Sequence, residues 1–192
     1  MDKLLVCAAL AASALAPAAA TAQAIPAAII AVVDLDRVSS QCNACKTASA
    51  TLRSQVTALQ NREKSLLAPL ETEQKQIQAK IDALKGAAPD AALQAQVRTF
   101  QQRQQQGSQE LARQQQQIQR NGQYVQQQIQ AKLNPIYSQV MQRRGANVLL
   151  EVGSTLATAA SVDVTGDVIT ALNAALPSIQ TTAPAQPKPQ GR

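Results

Sequence analysis

LRSQVTALQNREKSLLAPLETEQKQIQAKIDALKGAAPDAALQAQVRTFQQRQQQGSQELARQQQQIQRNGQYV, residues 52–125, decides the architecture of this chain. On the ascending side Leu52, Val56, Leu59, Leu66, Leu70, Ile77 and Leu84 follow steps of four and three, with polar lapses at Glu63, Glu73 and Lys80. After a break at residues 86–89 the rhythm returns at Leu93, Val97, Phe100, Leu111, Ile118 and Val125, with lapses at Gln104, Gly107, Gln114 and Asn121. The two series mirror each other. Leu84 and Leu93, Ile77 and Phe100, Leu66 and Leu111, and Leu52 and Val125 are each equidistant from a point between residues 88 and 89. Two helices folded back on one tip need that symmetry, so the sequence predicts a long antiparallel helical hairpin.

The break explains the reversal. Gly86 tolerates the left-handed backbone that closes a helix, and Pro89 cannot continue one, so residues 85–90 form the tip. Arms of about forty residues rising about 1.5 Å each would reach roughly 60 Å. Pro69 removes one backbone bond from the ascending helix, and Gly107 lies at nearly the same height on the descending one. Both arms therefore weaken at one level. That level is either a joint, with Pro69 and Gly107 as hinge, or a simple bend in a stiff rod. The descending arm is glutamine-rich, with 18 glutamines in residues 94–130, but the interspersed apolar residues argue for helix over disorder.

Aromatic residues are nearly absent (Phe100, Tyr124 and Tyr137), so a large compact core is excluded and most of the 192 residues must be elongated. The formal net charge of +6 suits anionic partners: acidic polypeptide, membrane surface or nucleic acid. Residues 1–24 carry Lys3, an apolar run, and small residues at Ala22 and Ala24, the pattern of a cleaved secretory signal. A membrane anchor is the weaker reading, because Ser13 and Pro17 interrupt the run before a spanning length. The expected location is the periplasm.

The fold class expected is mainly α with a small β body: a coiled-coil tentacle projecting from a short-stranded oligomerisation domain. The arm covers residues 46–133. Residues 25–45 and 134–176 form a discontinuous body, and the Pro/Gln tail, 177–192, is expected to be disordered. In residues 27–38, AAIIAVVDLDRV, the β-branched run suits a strand buried on both faces, with Ser39 or Ser40 capping the next helix. Asp34 and Asp36 could be read as paired acids, but their place at the strand end favours a cap or turn role. Pro135 kinks the descending helix, and Arg143, Arg144 and Gly145 close it. Residues 147–152 and 155–160 flank Gly153-Ser154 as a two-residue β-hairpin, and a last helix, residues 166–176, takes Thr165 as N-cap.

The strand IIAVVDLDRV, the basic helical hairpin, the strand NVLLEV and the closing VDVTGDVITALN (residues 162–173) together resemble the OmpH-like (Skp) family of periplasmic chaperones. The resemblance implies a homotrimer whose strands form a compact body and whose hairpins surround a cavity. Its implied partners are unfolded outer-membrane proteins, held without ATP. Ile29, Ile30, Val32, Val33, Val148, Leu149, Leu150, Val168, Ile169 and Leu172 are the expected oligomerisation residues. A body of three strands and one short helix buries too little to stand alone, which favours self-association on physical grounds as well.

Client contact is assigned to the distal arm. Lys64, Lys75, Lys80, Lys85, Arg98 and Arg103 could draw acidic clients or anionic lipid headgroups through their field, and exposed Leu67, Ile77, Ile81, Leu84 and Leu93 could touch apolar segments. Against this stands the plainer account, in which the charges solvate the helices and the apolar residues hold the hairpin shut. Cys42 and Cys45 read as a local disulfide or as bridges between protomers. Thiol catalysis has less support, without a βαβ pattern around the pair. With no histidine, no nucleophile elbow and no glycine-rich phosphate loop, no enzyme, metal or cofactor is indicated. A structural envelope coiled coil is the main alternative. The export signal and the lack of interleaved aromatics count against nucleic acid as a physiological partner.

Overall fold

The computed structural model describes residues 25–185, so the expected export signal lies outside the described residues. The hairpin dominates the molecule. Helix α1 (Leu35–Gln41) is short, helix α2 (Asn43–Ala83) ascends, and helix α3 (Ala91–Arg144) descends past the root. At about 1.5 Å per residue the two long helices measure roughly 60 and 80 Å. Their cross-links keep the mirror register: Lys80–Gln96, Glu73–Arg103 and Gln55–Asn121 are each centred on residue 88.

The tip follows the chemistry of its residues. Lys85 and Gly86 both adopt positive φ, 48° and 95°, reversing the chain. Asp90 then caps α3, its carboxylate accepting from Leu93 N at 2.7 Å. Helix α2 runs on through Pro69 and α3 through Pro135. Gly145, at φ 67°, ends α3 with the bond from Ala146 N to the Met141 carbonyl at 2.9 Å.

At the root the hairpin acts as a crossover. Strand β1 (Ile30–Val33) pairs in parallel with strand β2 (Val148–Glu151), Ile30 opposite Val148. Parallel pairing requires a long connection, which the two arms supply. Helix α4 (Thr165–Ala175) packs beneath, and the core gathers Val33, Val38, Cys42, Ile129, Leu133, Ile136, Val140, Val168 and Leu172.

Several expectations fail here. Ser39 and Ser40 cap nothing. The strand is shorter than the apolar run, so Asp34 caps α1, while the Cys42 sulfur accepts from Cys45 N and caps α2. The two serines lie inside α1 with their hydroxyls on carbonyls one turn back. Residues 155–160 form no strand. Gly153 and Ser154 belong to a 3₁₀ turn, and β2 takes the distant β1 as partner instead of a local one. Thr165 is the first residue of α4, with Val164 at the cap. The near end of the tail is ordered: residues 177–185 run along the root of α2 and α3 and bond to both.

Candidate functional site

The root is tied by a small polar lock. Thr165, fully buried, accepts from Asp34 N at 2.9 Å, joining the end of β1 to the start of α4. Asp163 accepts from Thr165 N at 2.8 Å and from Arg37 at 3.1 Å. Bonds from the Thr165 side chain and backbone, and then Arg37, hold the Asp163 carboxyl below its ordinary range despite partial burial. Arg144 closes the other side on Asp167 at 2.7 Å. Cys42 and Cys45 are joined as a disulfide within the chain, which leaves neither thiol for a bridge between protomers in this form.

The expected oligomerisation residues divide by burial. Val32, Val33, Val168 and Leu172 are consumed by the chain's own core and cannot face a partner. Ile29, Ile30 and Leu150 are exposed along the open side of the sheet, with Val148, Leu149 and Ile169 half-buried beside them. Asp163 and Val164 meet the outer edge of β1 at Val32, but β2 pairs with β1 alone and leaves an edge unpaired, which in water is a liability that a second copy can cover.

The distal arm keeps most of its positive charge unpaired. Arg103 bonds Glu73 at 3.0 Å, and Lys80 reaches only the neutral Gln96. Among the described residues Lys64, Lys75, Lys80, Lys85 and Arg98 form no ion pair and are exposed. Nearer the root Arg62 grips Glu110 through two bonds of 2.8 and 3.1 Å. That grip lowers the Glu110 carboxyl pKa and raises that of Arg62.

The apolar candidates split as well. Leu67 and Ile81 are 45% and 41% exposed, and Leu84 is half-buried, so all three present apolar surface. Ile77 and Leu93 are buried in the seam, because the mirror register turns both inward, and they hold the hairpin shut. Pro69 and Gly107 do share a level: both line a cavity of about 250 Å³ between the arms. A shallow concavity of about 440 Å³, lined by Leu52, Arg53, Val56 and Ile118, opens nearer the root. No cluster of three metal-ligating side chains occurs among the described residues. No described helix is long and apolar enough to cross a membrane.

Sequence reasoning missed Gln55, Gln117, Asn121 and Gln128, which hold the ordered part of the tail. Asn121 was visible only as a lapse in the heptads. A buried amide at a seam position is itself a sign that a polar partner is required.

A crystal structure of a candidate outer membrane chaperone (OmpH-like) from Caulobacter crescentus CB15 shares this fold at a TM-score of 0.66. It is 20% identical and covers 82% of this chain and 90% of its own. No curated protein matches the chain. A family profile described as outer membrane protein (OmpH-like) matches residues 29–172, and the chain belongs to the OmpH-like family.

Proposed function

We propose that the protein is a holding chaperone of the periplasm, binding unfolded outer-membrane proteins without ATP in a cavity enclosed by the arms of three copies. One observation carries the reading: the arm reaches about 60 Å from a core confined to the root, with unpaired Lys64, Lys75, Lys80, Lys85 and Arg98 beside exposed Leu67 and Ile81. A holder needs many weak contacts on a movable surface and no deep pocket. Long-range attraction gathers an acidic or unfolded chain, and short-range apolar contact keeps it from aggregating. The same positive surface suits anionic lipid headgroups near the membrane.

The structural alternative draws on the burial of Ile77 and Leu93, which makes part of the apolar series a fastening. Refolding a denatured outer-membrane β-barrel in the presence of the purified protein separates the two. Aggregation should be suppressed, and suppression should weaken as the screening length falls from about 10 Å at 0.1 M salt to about 3 Å at 1 M. No protection at any stoichiometry or salt would leave the structural rod.

A further inference from the structure

Beyond helix α4 the chain turns back over the root and lies extended along α2 and α3. What holds it is unusual in one respect: every hydrogen bond from the helices to this strap ends on its main chain. Gln128 makes a two-way pair, donating to the Gln180 carbonyl at 2.8 Å and accepting from Gln180 N at 3.0 Å. Gln55 donates to the Thr181 carbonyl at 3.2 Å. Asn121, buried, accepts from Ala183 N at 2.8 Å, and Gln117 reaches the Ala183 carbonyl at 3.5 Å. Asn121 also donates to Gln55 at 2.9 Å and accepts from Gln117 at 2.8 Å, so three of the amides are linked across both helices, while Gln128 bonds the strap separately, about two turns away along α3. Apolar contact centres on Ile179, which with Pro177 lines a hollow against Ala44, Thr47 and Ala48 and packs on the core.

A primary amide carries both donors and an acceptor, as a peptide group does, so a row of them can pair with extended backbone as a strand would. Such a row reads the main chain and is indifferent to most side chains. Its own members are uncharged, unlike the distal arm, and the nearby charge of Arg120 is turned onto Gln117. We infer that the Gln55–Asn121–Gln128 row is a binding site for an extended, uncharged segment of another polypeptide, with one aliphatic side chain in the Ile179 hollow. Residues 177–185 are its resident ligand and must be displaced. The identity of that polypeptide as an unfolded client rests on the proposed holding function; the site itself does not. A tethered occupant competes at high effective concentration, so the site opens only to a chain that is itself locally concentrated, as one already held by the arms would be. Capture by charge at the tip and reading of backbone at the root are then two stages with different salt dependence.

The test uses the full chain and a fluorescent peptide of its own residues 177–185, PSIQTTAPA. The double variant Gln180→Pro/Ala183→Pro deletes the two strap N–H groups that Gln128 and Asn121 accept, while leaving Ile179 in place. Fluorescence anisotropy should show the peptide binding this variant at least about tenfold more tightly than the unaltered chain, since the resident occupant no longer holds the site. That affinity should not change between low and high salt. Adding Gln128→Glu, at a half-buried helix position, should abolish it, and Ala183→Pro alone should give an intermediate gain. Unchanged helical circular dichroism certifies the fold of each variant. A strap-released variant that binds no better than the unaltered chain, or binding indifferent to Gln128→Glu, overturns the inference. Neither result depends on whether a β-barrel is protected from aggregation, so the two ideas fail separately.

Discussion

Thr165 shows how much one hydroxyl can decide. It has no exposed surface, and its oxygen is the acceptor that the structure supplies to Asp34 N at the point where β1 ends and α1 begins. Thr165→Val keeps the shape and strands that N–H, which should cost about 1–3 kcal/mol, read as a lowered midpoint in urea unfolding. Asp163 extends the argument to pH. Its folded pKa lies below the ordinary 3.8, so its contribution is present above that value and fades as pH falls through the lower folded one. Asp163→Asn should therefore flatten the pH dependence of stability below about pH 4, where carboxylates titrate, as followed by thermal melts at successive pH values. The surface pair Arg62–Glu110 is too exposed to bear a comparable prediction.

At the scale of elements, we propose that the level shared by Pro69 and Gly107 is the softest of the arm. Pro69 removes a backbone bond within α2. A Cβ on Gly107 would meet only Leu66 Cδ1, at 3.8 Å, an ordinary contact. Gly107→Ala should therefore stabilise the helix by about 1 kcal/mol. Combined with Pro69→Ala it should slow backbone hydrogen exchange on both arms at that level; unchanged exchange would remove the joint and leave a bent rod. The hairpin itself was legible, because its register is written in the four-and-three steps of Leu52 through Val125 and its tip in Gly86 and Pro89. The sheet was legible only in half. Gly153-Ser154 offers a local turn, but the partner of β2 is set by packing from the far end of the hairpin, which no local signal reports. Serines 39 and 40 misled because the strand stopped sooner than the apolar run, with Leu35 drawn onto the core as part of α1. The strap was hidden for another reason: a Pro/Gln composition signals disorder, and its amide partners carry no hydrophobic period. Ile77 and Leu93, by contrast, were legible as seam residues in those same four-and-three steps, and it was their second assignment, to client contact, that the register opposes.

For the molecule as a whole, the exposed Ile29, Ile30 and Leu150, together with the free edge of β2, argue for association at the root. Sedimentation equilibrium should find a trimer, and Ile30→Lys with Leu150→Lys should shift it toward monomer; a stable folded monomer of the unaltered chain would contradict the cavity. One topological feature reaches further, into how the molecule comes to exist. Ile29 and Asn147, joined beside the start of the sheet, stand 118 positions apart. As the polypeptide is made from its N-terminus, β1 emerges long before its mate, and only the local contacts of the hairpin can carry Val148 back to Ile30. The limb is thus assembled ahead of the shoulder. A nascent copy halted short of residue 148 would own a finished rod with its β1 bare, a species that itself calls for shelter.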